Sequence, residues 1–108
     1  HLQVEWQAPE LKTAFGFLNV PAAIGIGTQF LMVRPEDFVL KSVDDGKANG
    51  VIKRVDFAGA VQIISVELKN GETIQVSGST HLLWTPGDSV KITAKRFLCY
   101  DSVGDRLN

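Results

Sequence analysis

A period of two in the hydrophobic residues limits the fold of this chain more than any other sequence feature. In the run 61–68, Ile64, Val66 and Leu68 alternate with polar residues, and apolar and polar side chains alternate again over 73–77. Asn70-Gly71 lies between the two runs, and this dipeptide favours a tight hairpin turn in which both central residues take positive φ. The pattern therefore predicts a β-hairpin. Its buried face is predicted to carry Ile64, Val66, Leu68, Ile74 and Val76.

The remaining segments also indicate short strands. Gly59 ends the strand-like run 50–57 and predicts a bulge or sharp bend. Thr85-Pro86-Gly87-Asp88 predicts a turn in which Gly87 takes the left-handed region. A further hairpin is expected to turn at Phe15-Gly16, a loop over 24–28, and a short helical turn only over 79–84. This spacing of strands and turns predicts an all-β fold, a small β-barrel or sandwich of short antiparallel strands.

Arg34-Pro35-Glu36-Asp37 interrupts an apolar run over 30–40. Pro35 has a fixed φ and no N–H group, so it cannot continue a sheet ladder, and Arg34 before it is held extended. We expect a strand, a bend at the proline and a second strand. Arg34 is expected to fix the bend by pairing with Glu36 or another carboxylate. Because Glu36 and Asp37 face opposite ways in extended backbone, they do not suggest an acid–base pair.

Length and charge limit the function classes. The chain has 108 residues and a net charge of −1, which predicts one domain and gives no electrostatic basis for binding nucleic acid. The polar segment 44–49 is expected to connect two halves of that domain. A single cysteine favours a reducing compartment, and no apolar run approaches the length of a membrane span. Because the sequence begins at His1, we expect it to be a piece of a longer protein.

Motifs of nucleotide and metal chemistry are missing from the sequence. It contains neither a Gly-x-x-x-x-Gly-Lys-Ser/Thr loop nor a Gly-x-Gly-x-x-Gly loop. His1 and His81 have no partners at metal-ligand spacing, so no metal site is expected, and His81 is assigned to a turn or the surface. Cys99 is predicted to be a buried, inert thiol. Trp6 and Trp84 are assigned to half-buried packing rather than to base stacking. No catalytic residue and no cofactor are expected in this chain.

One polar cluster is a candidate ligand site. Ser77, Ser79 and Thr80 carry three hydroxyl groups around Gly78, and their backbone N–H groups could form a nest for an oxyanion. The alternative interpretation is a polar loop that joins two strands.

The order of these motifs resembles the transport-associated OB (TOBE) domain found at the C-terminus of many ABC importer ATP-binding subunits. The resemblance covers roughly residues 12–100. Arg34-Pro35-Glu36-Asp37 is similar to the family's Arg-Pro-Glu element, 50–59 to its Gly-x-Val strand that ends in Gly, and 86–92 to its Pro-Gly-Asp strand start. The residues that mark the family here are Arg34, Pro35, Glu36, Gly59 and Gly87.

The resemblance implies an OB-like barrel with an accessory, regulatory role in solute import of the iron, polyamine or sulfate type. The parent subunit would carry a preceding domain that binds ATP and Mg²⁺. A second copy of the subunit and the permease subunits would be the partners, at the cytoplasmic side of the cell membrane. An apolar surface for the second copy is also expected, since a half-open barrel must cover its edges.

Three other functions compete with this one. The first is a free-standing binding domain for a small anion such as molybdate or sulfate, which would use Ser77, Ser79 and Thr80. The second is an OB-type nucleic-acid binder, which the charge balance disfavours. The third is an enzyme, which no group of residues supports.

Overall fold

The computed structural model describes residues 2–108, so His1 lies outside the described residues. The strands are β1 (Leu2–Gln3), β2 (Glu5–Gln7), β3 (Glu10–Thr13), β4 (Gly16–Asn19), β5 (Phe30–Met32), β6 (Phe38–Ser42), β7 (Gly50–Ala58), β8 (Val61–Leu68), β9 (Thr73–Ser79), β10 (Ser89–Ala94) and β11 (Leu98–Tyr100). An α-helical turn, α1 (Ala22–Gly25), and two 3-10 turns, Pro35–Asp37 and Asp45–Lys47, complete the elements. No helix within 2–108 is long and apolar enough to cross a membrane.

The largest sheet has five antiparallel strands in the order β6-β10-β7-β8-β9. Strands β7, β8 and β9 follow one another as hairpins, and β10 returns to lie beside β7, which is a Greek-key arrangement. Strand β9 at one edge contacts β6 and the 3-10 turn Pro35–Asp37 at the other edge, so the sheet curls into a small barrel. The all-β, OB-like fold is therefore confirmed.

The hairpin of β8 and β9 is confirmed, but its turn differs from the prediction. Ile64 pairs with Val76 and their side chains are buried in the barrel, as expected. Only Gly71 has positive φ, at 89°, whereas Asn70 does not. The Leu68 N–H donates to the Glu72 carbonyl at 2.8 Å, which encloses a three-residue loop with Gly in the left-handed position. The prediction that both central residues take positive φ is wrong.

Gly59 lies in the tight turn between β7 and β8 rather than at a bulge. Its φ is +65°, and Ala58 pairs with Val61 across the two-residue loop. Positive φ at the first loop position alone fits a type II′ turn. The irregularity of β7 lies instead between Ile52 and Arg54, where the register with β8 shifts.

The helical turn predicted over 79–84 is wrong, since β9 runs to Ser79 and the following residues form turns and bends. The α-helical turn is α1, which precedes and partly overlaps the predicted loop 24–28. The Thr28 hydroxyl donates to the Ile24 carbonyl at 2.8 Å and satisfies one of the last carbonyls of this turn.

The buried apolar residues form two hydrophobic clusters. The larger fills the barrel and is made of Phe15, Phe38, Ile52, Ile64, Val66, Leu68, Ile74, Val76, Val90 and Ile92. The smaller is made of Leu11, Leu31 and Cys99, to which the sheets β2-β3-β4 and β1-β5-β11 both contribute. Phe15, from the turn between β3 and β4, packs edge-on against Phe38 with ring centroids 5.8 Å apart, so the N-terminal hairpin completes the barrel core.

The segment 44–49 does not separate two halves of the chain. It joins β6 to β7, and both of these strands pair with β10 in the same sheet. Asn49 within it donates from Nδ2 to the Phe15 carbonyl at 2.6 Å and to the Ile92 carbonyl at 2.9 Å. The polar composition of the segment therefore includes a structural hydrogen-bonding residue, which the prediction of a simple connector did not anticipate.

Candidate interaction surface

The strand break at Pro35 is confirmed, and backbone hydrogen bonds hold it. Arg34 is extended, with φ −74° and ψ 149°, and Pro35 begins the 3-10 turn. The Asp37 N–H donates to the Arg34 carbonyl at 2.9 Å, and the Lys95 N–H donates to the Asp37 carbonyl at 2.8 Å. These bonds tie the bend to the segment that follows β10.

The predicted ion pair of Arg34 is wrong. Within residues 2–108 the ion pairs are Lys53–Glu67, at 3.8 Å, and Arg54–Asp56, at 2.8 Å. Arg34 is exposed. The backbone hydrogen bonds of Asp37 already hold the bend, so the bend does not need an ion pair from Arg34. Glu36 is also exposed, on the 3-10 turn itself.

The turn at Gly87 follows the prediction. Gly87 has φ +97°, and the Asp88 N–H donates to the Thr85 carbonyl at 3.1 Å. The Gly87 N–H donates to the Ile52 carbonyl at 2.7 Å, and the Ile52 N–H donates to the Asp88 carbonyl at 3.0 Å. This exchange attaches the turn to β7 and sets the start of β10.

The oxyanion nest predicted around Ser77, Ser79 and Thr80 does not form. Ser77, Gly78 and Ser79 belong to β9, where they pair with β8, and only Thr80 lies beyond the strand. A nest forms where successive N–H groups converge in a right-handed–left-handed pair or in a turn, whereas Ser77, Gly78 and Ser79 lie in an extended strand and Gly78 does not have positive φ. The structure therefore brings Ser77 and Ser79 onto one face of a strand without a preformed anion cradle.

An exposed apolar patch lies at the end of the β7–β8 hairpin. We call Phe57, Leu82 and Leu83 the tip patch; their exposed fractions are 64%, 60% and 63%. Phe57 pairs with Gln62, and directly opposite residues point to the same face of a sheet, so Phe57 continues the inner face beyond the end of the core.

Buried Gln62 places the two leucines beside this hairpin end. Its Nε2 donates to the carbonyl of Ser79, at 3.0 Å, and to the carbonyl of Leu82. Its Oε1 is buried without a hydrogen-bond partner among the described residues. The segment after β9 is thereby held against the hairpin. Sequence reasoning expected an apolar surface but did not say which residues form it, although adjacent Leu82 and Leu83 in a turn region were a visible signal.

A comparison with protein-family models matches residues 31–97 of the chain to the TOBE domain. This range runs from β5 through β10 and includes all five strands of the barrel. The chain belongs to the TOBE domain family. The resemblance inferred from the sequence motifs is thus confirmed at the level of the family. No curated protein matches the chain.

Residues outside the matched range complete the packing of this TOBE domain. Cys99 is buried beside Leu31, its partner across β5 and β11. Burial raises the pKa of the Cys99 thiol, and a hydrogen bond with Thr28 opposes that shift. The predicted buried thiol is therefore confirmed.

The two tryptophans and His81 lie where the sequence predicted them. Trp6 and Trp84 are half-buried, as predicted, and pack against the smaller and larger clusters respectively. His81 is exposed in the segment after β9. Across residues 2–108, no group of three or more His, Cys, Asp or Glu side chains is arranged to hold a metal ion.

Proposed function

We propose that this TOBE domain is the C-terminal accessory and regulatory domain of an ABC transporter ATP-binding subunit. The observation that carries the proposal is the family match over the whole barrel, because TOBE domains are transport-associated. In this proposal the parent subunit binds ATP and Mg²⁺ in a preceding domain and hydrolyses the nucleotide there. The TOBE domain supports dimerisation of the subunit and transmits regulation.

The proposed setting is the cytoplasmic face of the cell membrane. The parent subunit reaches the membrane through permease subunits, as a peripheral component of a solute importer. Reading the coding sequence upstream of His1 tests this directly. A phosphate-binding Gly-rich loop followed by an ABC signature supports the proposal, and an unrelated upstream domain or a start codon at this position contradicts it.

The proposed dimer contact is the tip patch. Three large apolar side chains, each about three-fifths exposed, lie at the end of the β7–β8 hairpin, where Gln62 pairs with Phe57 and bonds to the Leu82 carbonyl. Burying them against the same patch of a second copy removes apolar surface from water in both subunits at once, which is how a two-fold interface gains stability. Phe57 supplies an aromatic side chain, a type enriched at such contacts.

Sedimentation of the chain over a range of concentrations tests this contact. We expect concentration-dependent dimers of the wild type and a shift towards monomer for Phe57→Ser and Leu83→Ser. Val103→Ser is the matched control, because Val103 is 79% exposed and lies outside the tip patch. A wild type that stays monomeric at every concentration contradicts the contact, as does an equal effect of Val103→Ser.

The free-standing oxyanion domain receives no support from the geometry, because Ser77, Ser79 and Thr80 do not form a nest.

A further inference from the structure

A cleft of about 290 Å³ lies where the barrel's 3-10 turn meets the sheet β1-β5-β11. Its lining comes from three parts of the chain: the end of β5 with the bend after it, the turn between β10 and β11 with the start of β11, and the segment after β11. The lining residues are Met32, Arg34, Asp37, Arg96, Phe97, Leu98 and Arg106.

Three of the four arginines of the chain line this cleft. The fourth, Arg54, lies elsewhere and is paired with Asp56 at 2.8 Å. Within residues 2–108, Arg34, Arg96 and Arg106 form no ion pair, and the Arg106 Nε donates to the Asn108 backbone oxygen. A chain with a net charge of −1 therefore concentrates three of its four guanidinium groups at one place, and those of Arg34 and Arg96 form neither an ion pair nor a side-chain hydrogen bond among the described residues.

Asp37 is the one side-chain carboxylate among the lining residues, so together with the three arginines it leaves their side chains a formal charge of +2. Guanidinium groups present planar, paired donors that match carboxylates in a bidentate geometry. The Asp37 carboxylate disfavours further negative charge and can accept a hydrogen bond from a hydroxyl or amide of a ligand. The charge of the cleft thus matches a dianion.

An apolar floor lies beneath these charges. Met32 and Leu98 are directly paired across β5 and β11. The next pair along, Leu31 and Cys99, is fully buried in the smaller cluster, so Met32 and Leu98 point to the opposite face of the sheet, towards the cleft. Phe97 adds to this floor. A carbon skeleton would contact these side chains, whereas a hydrated inorganic anion would not.

We propose that this cleft binds a short organic dicarboxylate. Two carboxylates of one ligand would each engage guanidinium donors, while the methylene groups between them rest on Met32 and Leu98. A tetrahedral oxyanion is not much larger than a water molecule, which takes up about 30 Å³ of liquid volume, so it would fill only part of the cleft and leave the apolar side chains in contact with water. The cleft shares no residue with the tip patch, so the proposal does not rest on dimerisation through that patch or on the identity of the parent subunit.

Isothermal titration of the chain with succinate, glutarate and adipate tests the proposal. The matched probes are butyrate, which keeps one carboxylate, and inorganic phosphate and sulfate, which keep the charge without a carbon skeleton. We expect saturable binding of at least one dicarboxylate, and at least about tenfold weaker binding of butyrate, because one charge-assisted contact is lost.

Substitutions locate the binding. Arg34→Gln and Arg96→Gln are each expected to weaken dicarboxylate binding by about tenfold, and Asp37→Asn to strengthen it, since a repulsive charge is removed. Arg54→Gln is the control: it removes the same charge outside the cleft and is expected to leave binding unchanged. Both cleft arginines are exposed, so the variants are expected to fold, which far-UV circular dichroism verifies.

The outcomes separate the alternatives. Absence of heat with all three dicarboxylates overturns the site, and equal losses in Arg54→Gln and Arg34→Gln show a general charge effect instead. Tighter binding of phosphate or sulfate overturns the ligand class. Binding of an acidic peptide but of no dicarboxylate makes the cleft a protein contact and also overturns the proposal. None of these results bears on the oligomer measurement, so the two proposals fail independently.

Discussion

Asn49 illustrates, at the scale of single residues, how one polar side chain joins separate parts of the fold. Its Nδ2 donates to the carbonyls of Phe15 and Ile92, and its Oδ1 accepts from the Ile92 N–H at 2.7 Å. The amide thus bonds both backbone groups of Ile92 in β10, as a neighbouring strand would. Through the Phe15 carbonyl it also attaches the N-terminal hairpin to the barrel. An amide is needed, because only it offers donors and an acceptor on one short side chain.

Asn49→Ala is therefore expected to destabilise the chain by about 2–4 kcal/mol, since three partly buried hydrogen bonds lose their partner at about 1 kcal/mol each. Urea denaturation measures the free energy of unfolding. Asn70→Ala is the matched control, because the Asn70 side chain accepts one exposed bond, from the Glu72 N–H at 3.0 Å. Equal losses in the two variants would show that the Asn49 contacts contribute little.

Cys99 gives a prediction for pH. Burial raises the pKa of its thiol above the ordinary 9.0, so the folded chain holds the proton more tightly than the unfolded chain does. At a pH below that ordinary value the Cys99 thiol is protonated in both the folded and the unfolded chain, and its contribution to the free energy of unfolding is fully present. As the pH rises from there through the folded pKa, the stabilisation is lost, with a slope of up to about 1.4 kcal/mol per pH unit.

Unfolding measured between about pH 8 and about pH 10 checks this, with Cys99→Ala as the control that lacks the thiol. The wild type should lose more stability than the variant over that interval. Parallel curves for the two proteins would disprove the assignment.

In the folded protein at neutral pH, a thiol reagent should react with Cys99 only as fast as the protein opens.

At the scale of elements, α1 depends on close packing of the Gly25 backbone against the ring of Trp6. Gly25, its last residue, is buried against the Trp6 side chain, and a methyl group at this position would overlap the ring. A four-residue helical turn gains little from its own hydrogen bonds, so this packing and the Thr28 bond hold it.

Gly25→Ala is expected to displace Trp6 and to cost about 1–3 kcal/mol, as overpacking of a filled core does. Gly27→Ala is the control, since its added methyl would meet only Leu107 Cδ1, at 3.4 Å. Near-ultraviolet circular dichroism, in a Trp84→Phe background, reports the environment of Trp6. An unchanged spectrum together with unchanged stability would refute the proposed contact.

The same scale shows what sequence reasoning reaches. The β8–β9 hairpin follows from a local period of two, so its buried face is predictable. α1 has no period to detect, and the residues that stabilise it are Trp6, on β2, and Thr28, in the segment directly after α1. The arginine cleft combines positions 34, 96 and 106, which are brought together by the register of β5 with β11, by the Lys95–Asp37 backbone bond and by the bridge between Tyr100 and Arg106. Long-range register, rather than residue type, is what the sequence left undetermined.

At the scale of the whole molecule, the hydrophobic core of the barrel includes a residue that lies outside the range matched to the family. Residues 31–97 contain the barrel strands, yet the barrel core includes Phe15, which lies before that range. Phe15 is 4% exposed and contacts Phe38, and its carbonyl accepts from Asn49. The N-terminal hairpin is therefore coupled to the barrel through both apolar packing and a hydrogen bond.

This coupling predicts that the chain unfolds in one cooperative transition and that Phe15→Ala lowers the stability of the whole by about 3–5 kcal/mol, the usual cost of deleting a buried aromatic ring. Phe17→Ala, two residues away and 55% exposed, is the matched control and should change stability little. Calorimetry should give equal calorimetric and van't Hoff enthalpies for the wild type. Two separate transitions, or a Phe15→Ala variant whose barrel melts at the wild-type temperature, would mean that hairpin and barrel fold independently.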